Sequence, residues 1–150
     1  MTVTDMPADA QTATPLPAGL LDQLKQVLGP KGWSRDAHEL APHVADWRGR
    51  YQGSTPILLK PANTEEVSAC VRLCHEAGVA ITPQGGNTSL CGAATPMGEV
   101  LLTLKRMTGI REVDVDNDSM TVEAGCVLEN LQTLAADNNR LFPLSLGSQG

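Results

Sequence analysis

The chemistry this sequence offers is concentrated in residues 79–90. Val79-Ala80-Ile81-Thr82 is an apolar, β-prone run that stops at Pro83 and enters Gln84-Gly85-Gly86-Asn87-Thr88-Ser89-Leu90. Two adjacent glycines can take φ > 0 and leave the backbone bare for a ligand. Consecutive N–H groups in such a loop can turn inward and form an anion-binding nest. Asn87, Thr88 and Ser89 add short polar groups beside those amides. The matching chemistry is recognition of a diphosphate through the main chain. A tight turn between two strands would use the same glycines, so the loop by itself leaves both readings open.

The elements that must place this loop lie on either side of it. Upstream, Pro56 to Pro61 predicts a short strand between prolines. Asn63 is a helix cap with Glu66 at the capping-box position. Val67, Cys70, Val71 and Cys74 fall at i, i+3, i+4 and i+7, which predicts a buried stripe. Gly78 then stops the helix, and Val79 to Thr82 is the next strand. Residues 57–82 thus predict a strand–helix–strand unit of the size of a parallel crossover. In such units ligands sit beyond the carboxyl ends of strands, where this loop lies.

Downstream, Cys91 to Gly98 is small and turn-rich, and Glu99 to Leu104 predicts a strand. Ile110 to Val115 and Met120 to Ala124 predict two more, around the turn cluster Asp116-Asn117-Asp118-Ser119. That cluster lacks the spacing and terminal Glu of a calcium loop. Val127 to Asn138 has helical spacing. Leu141 to Gly150 repeats the proline, glycine and serine character of the first loop and could supply further amides and hydroxyls to one ligand.

The chain before residue 57 is less informative. Residues 1–16 predict a mobile tail. Leu20, Leu21, Leu24, Val27 and Leu28 form one helical face, ended by Gly29-Pro30. Residues 31–53 have no clean period. Within them, Asp46-Trp47-Arg48-Gly49-Arg50-Tyr51 reads as an exposed loop with a packed Trp. It also reads as a loop offering Arg48 to a carboxylate, which arginine can hold bidentately. His38, His43 and His75 are scattered and read as structural or solvated.

Composition narrows the function classes. The chain has 150 residues, enough for one ordinary domain. Aromatics are only 3%, so the core must be aliphatic. A net charge of −6 argues against a nucleic-acid surface, but backbone amides can still bind a phosphate. Cys70, Cys74, Cys91 and Cys126 form no CxxC pair and have no histidine at ligand spacing, so no metal is expected. Cys70 and Cys74 share a helix face and are expected to be buried thiols. The usage suits a reducing cytoplasm. No apolar run reaches the ~18–20 residues of a membrane span, and no signal-peptide pattern is present.

Neither a GxxxxGK[ST] loop nor a GxGxxG between strand and helix occurs. The glycine loop leads through a turn-rich stretch into a strand, not a helix, so a helix dipole is not expected to be its main anion-binding device. Pro83-Gln84-Gly85-Gly86-Asn87-Thr88-Ser89-Leu90 closely resembles the pyrophosphate loop of FAD-linked oxidases of the p-cresol methylhydroxylase and vanillyl-alcohol oxidase type. Further pieces match in order and spacing: Leu104-Lys105-Arg106-Met107, Thr121-Val122-Glu123-Ala124-Gly125 and Phe142-Pro143-Leu144-Ser145-Leu146-Gly147-Ser148. Asp46-Trp47-Arg48-Gly49 and the Leu-Gly-Ser of the second loop are similar to the branch of D-2-hydroxy-acid dehydrogenases that act on D-2-hydroxyglutarate or D-lactate.

The resemblance implies an α+β fold. A strand–helix–strand lobe precedes the start of a second mixed lobe that continues past residue 150. It implies a helix and loop over residues 17–50 and an FAD-binding PCMH-type domain over residues 51–150. FAD would contact Pro83, Gln84, Gly85, Gly86, Asn87, Thr88, Ser89 and Leu90. Pro143, Gly147, Ser148 and Gly150 would line its second side, and Arg48 would reach the substrate. Some members bind FAD covalently through a histidine directly after the glycine pair. Asn87 stands there, so the implied FAD is non-covalent. The implied activity is a flavoprotein oxidoreductase turning a D-2-hydroxy acid into a 2-oxo acid. Its electrons would pass to a quinone, an electron-transfer flavoprotein or a cytochrome. The catalytic base is expected beyond residue 150, so these 150 residues are expected to be inactive alone, and a homodimer stays open. The alternatives are a non-catalytic FAD-binding or interaction module and an enzyme like UDP-N-acetylenolpyruvoylglucosamine reductase. Asp46-Trp47-Arg48 counts against the second.

Overall fold

The computed structural model describes residues 15–147. The elements run α1 (Leu20–Leu28), β1 (Trp33–Ser34), α2 (Ala37–Leu40), a 3₁₀ turn (Ala41–His43), β2 (Leu58–Leu59) and α3 (Thr64–Glu76). β3 (Ile81–Gln84), β4 (Val100–Thr103), β5 (Ile110–Asp114), β6 (Ser119–Val122) and α4 (Leu128–Asp137) follow. The fold is α+β, as expected.

α3 begins where its capping residues satisfy the first amides. Asn63 Oδ1 accepts from the Glu66 N–H at 2.8 Å, and Glu66 Oε2 accepts from the Ala62 N–H at 2.7 Å. The helix gives way to Gly78 at φ 65°. Cys70 and Cys74 are fully buried, but Val71 is 46% exposed. The expected stripe is therefore corrected: Leu73 and Ala77 pack against the core in its place. At about 100° per residue, positions 70, 73, 74 and 77 cluster on one face and 71 falls off its edge.

Leu20, Leu24 and Leu28 of α1 join Cys70 and Cys74 over Ile57, Leu59, Val100 and Leu102. These two helices cover one face of a four-stranded sheet ordered β1-β2-β4-β3. Leu16 also packs against this cluster, so the expected tail of residues 1–16 is too long at its end. Residues 1–14 lie outside the described residues.

β2 and β3 are both parallel to β4, and β1 is antiparallel to β2. The crossover from β2 through α3 to β3 leaves a gap, and β4 fills it, pairing Leu58 with Leu101 and Ile81 with Val100. β3 starts later than expected and runs through Pro83 to Gln84. The sequence pattern places the stop at Pro83, and the strand continues through it. An edge strand tolerates a residue without an N–H, and β3 is bonded on one side only. The glycine loop thus leaves the sheet beside the end of β4.

From β4 the chain turns through Leu104-Lys105-Arg106-Met107, closed by the Met107 N–H to the Leu104 carbonyl at 2.9 Å. The Arg106 guanidinium ties this turn to the Lys60 carbonyl at 2.6 Å. β5 and β6 form a separate antiparallel hairpin. Gly125 then passes so close to the turn that a Cβ there would overlap the Leu104 carbonyl and lie 2.7 Å from that of Met107. That contact seats the entry to α4 against the end of the parallel sheet.

Candidate functional site

At the carboxyl end of β3 lies a cleft of about 470 Å³, within the ~300–1,000 Å³ usual for ligand sites. Gly85, Gly86 and Thr88 line it from the loop, and Lys105 and Thr108 from the turn after β4. Residues 124–128 line it from the entry to α4, and Leu146 from the last described stretch. Among the described residues, a Cβ built on Gly85 meets no atom within 4 Å, and one on Gly86 meets only Thr88 Cγ2, at 3.5 Å. Neither glycine has a positive φ; Asn87 does, at 57°. The expectation that the glycines supply φ > 0 is therefore corrected. Ordinary residues could adopt their backbone conformation, and what glycine preserves there is the open space in front of the main chain.

The far side of the cleft supplies two features the sequence reading missed. α4 starts at Val127 without a side-chain cap. The Asn130 and Leu131 N–H groups both reach the Val127 carbonyl, so the Leu128 and Glu129 amides at the start of α4 have no intrahelical partner. They form the positive end of a helix, although this helix does not follow the glycine loop in sequence. Lys105 is the second feature. It is exposed and has no ion-pair partner among the described residues. The signals were a helix start with no capping side chain and a lysine two residues past a strand end.

Other expected residues face elsewhere. Gln84 is 1% exposed. Its Nε2 donates to the carbonyls of His43 and Ala94, both at 2.9 Å, and its Oε1 meets His43 Nδ1 at 2.5 Å. Asn87 Nδ2 donates to the carbonyls of Pro42 at 3.1 Å and Ala45 at 2.9 Å. Ser89 Oγ lies 3.4 Å from Cys91 Sγ, Leu90 is half exposed, and Pro83 sits in β3. None of these five lines the cleft. Pro143 and Gly147 are exposed, with Gly147 adjoining Leu146. Ser148 and Gly150 lie outside the described residues. Cys126 also lines the cleft, and its thiol reaches the Gly109 carbonyl at 3.7 Å. Burial pushes the Cys70 thiol up to about 12 and raises that of Cys74, which makes this pair packing.

The Asp46–Tyr51 loop is organised by its aspartate. Asp46 is buried, and its Oδ1 accepts from the Arg50 N–H at 2.7 Å and the Tyr51 N–H at 2.9 Å. The Tyr51 N–H, aided by that of Arg50 and opposed by desolvation, holds this carboxyl below its ordinary range. Trp47 is 69% exposed, so the packed-Trp reading is corrected; the ring that packs is Tyr51, against Gly92. Arg48 is exposed over Trp47, 5.1 Å from the ring centroid, and does not line the cleft. Because the native pKa of Asp46 is depressed, its contribution is complete above the ordinary aspartate value and is lost as pH falls through the native one. In a Trp33→Phe background, Trp47 fluorescence is expected to change below about pH 4. The change should be absent from Asp46→Asn; an identical acid transition in that variant would remove Asp46 from this role.

The profile of a family described as FAD binding domain matches residues 55–150. A probable D-2-hydroxyglutarate dehydrogenase, mitochondrial, of Oryza sativa subsp. japonica is 40% identical over 127 residues, covering 84% of this chain and 23% of that protein. The D-2-hydroxyglutarate dehydrogenase, mitochondrial, of Bos taurus is 37% identical over 116 residues, covering 77% and 21%. This chain therefore spans less than a quarter of the length of these relatives. Among solved structures, alkyldihydroxyacetonephosphate synthase superposes with a TM-score of 0.74 at 21% identity, over 84% of this chain and 28% of that one. p-Cresol methylhydroxylase gives 0.69 at 21% identity, over 85% and 26%. These two share the fold. The residues present fit a dinucleotide diphosphate: open space before Gly85, hydroxyls at Thr88 and Thr108, a lysine, and a helix start all meet in one cleft.

Proposed function

The chain belongs to the FAD binding domain family, and we propose that the cleft beside Gly85 and Gly86 is where it holds the FAD diphosphate. Its cofactor is FAD. The observation that carries the site is the meeting of a bare glycine main chain, Lys105 and the uncapped start of α4 around one open space. Backbone N–H groups and a helix start bind phosphate without net positive charge, which suits a chain of charge −6. Thr88 and Thr108 offer hydroxyls. Pro143, Gly147, Ser148 and Gly150 are proposed to contact the second side of the dinucleotide. Asn87, standing where related proteins carry an attaching histidine, leaves the FAD non-covalent.

The protein as a whole is proposed to be a flavin-dependent oxidoreductase that converts a D-2-hydroxy acid to a 2-oxo acid. The names of its relatives support this. FAD held in this cleft would supply the acceptor for the hydride equivalent that leaves C2 of the substrate. The residues of this chain bind and orient the cofactor. Arg48 is proposed to meet the substrate carboxylate. A quinone, an electron-transfer flavoprotein or a cytochrome is the proposed electron acceptor. Four free cysteines suit a reducing compartment, and the cytoplasm is proposed.

The test is a visible absorption spectrum of the purified protein, followed by acid precipitation. Flavin bands are expected, with the colour left in the supernatant. A yellow pellet would overturn non-covalent binding, and no bands even after incubation with FAD would overturn the site. Lys105→Met is expected to weaken FAD binding about tenfold at low salt, with the difference shrinking as salt screens it. Equal affinities in 20 mM salt would remove Lys105 from the site.

A further inference from the structure

We propose that residues 42–45 are part of the cofactor site, acting through Gln84 and Asn87 as positioning residues for the glycine loop. The proposal rests on the reading of the cleft as the diphosphate site. Residues 42–45 fall outside the segment that matches the family, residues 55–150. Gln84 and Asn87 bracket Gly85 and Gly86, one on each side. Both side-chain amides turn away from the cleft and donate to main-chain carbonyls of Pro42, His43 and Ala45. Two carbonyls around Gln84 Nε2 fix that amide's orientation. Its Oε1 must therefore be the acceptor, and His43 Nδ1 carries the hydrogen between them.

The glycines need such a support. Among the described residues, their own amides enter none of the turn or loop hydrogen bonds, which leaves those amides for a ligand. A free Gly-Gly pair samples more backbone states than any other dipeptide, and a ligand would have to order it on binding. Anchors on both sides remove most of that cost in advance. Asn87 is suited to its post twice over. Asparagine tolerates the left-handed backbone at φ 57°, and its amide supplies two donors, both used. Glycine would meet the first need only. The brace is itself fixed: the 3₁₀ turn contains Pro42 and His43, and the Gly53 N–H bonds the Val44 carbonyl at 2.8 Å.

Asn87→Gly keeps the backbone conformation accessible and removes both donors. Asn87→Asp keeps size and φ tolerance but turns an acceptor toward two carbonyls. In flavin-free protein, ¹⁵N order parameters of the Gly85 and Gly86 amides are expected to fall from about 0.85 to about 0.6 or below in both variants, while those of α3 stay unchanged. The FAD dissociation constant is expected to rise at least about tenfold, the size of two lost hydrogen bonds. Order parameters that coincide in wild type and both variants would overturn the brace. Gly86→Val separates the two readings: it should keep the order parameters and lose FAD. Wild-type affinity in that variant would overturn the diphosphate site, while the order parameters still decide the brace.

Discussion

A valine at Gly86 is expected to strip the protein of FAD and leave its fold in place. The backbone there has no positive φ, and a Cβ meets only Thr88 Cγ2 at ordinary contact distance, 3.5 Å. The folded state therefore has room for a Cβ at this position. A ligand does not, because the new methyl groups occupy the space through which a phosphate must reach the amides. Losing one or two charge-assisted hydrogen bonds costs about 3 kcal/mol, or more than a hundredfold in affinity. The checks are an FAD titration by quenching of flavin fluorescence and a far-ultraviolet circular dichroism spectrum. Unchanged affinity would show that the glycine pair is only a turn.

Gly125→Ala is expected to act in the opposite order, on stability first. Its Cβ would overlap the Leu104 carbonyl and press on that of Met107. Both acceptors are main chain, and neither can rotate away. The Gly125 N–H also bonds the Met107 carbonyl at 2.8 Å, so this turn cannot drift off without losing that bond. Overpacking of this kind costs about 3 kcal/mol, which for a chain of this size lowers Tm by about 6–12 °C. FAD affinity should fall with it, since Ala124 to Leu128 form the far wall of the cleft. An unchanged thermal midpoint would mean the close approach is absent in solution.

The contrast between these glycines shows what a sequence can carry. Gly85-Gly86 was legible because ligand loops concentrate glycine, yet the reason read from it was incomplete. The left-handed residue is Asn87, and the glycines keep space open. α3 was legible from Asn63, Glu66 and Gly78, whose side chains or lack of one act locally. The brace was not. Its acceptors are the carbonyls of Pro42, His43 and Ala45, and a carbonyl is common to every residue type. Lys105 and the start of α4 were illegible for another reason. They reach the loop only because β4 inserts between β2 and β3, a pairing that no local pattern encodes. Trp47 misled because a large aromatic is usually buried, whereas Asp46 holds this loop and leaves the indole outside.

A crystal structure of the protein with FAD bound addresses the main claim without intermediaries. The diphosphate oxygens should lie about 3 Å from the amide nitrogens of Gly85 and Gly86, with Lys105 Nζ turned toward the same oxygens. A diphosphate seated elsewhere, with the glycine pair facing solvent, would contradict it.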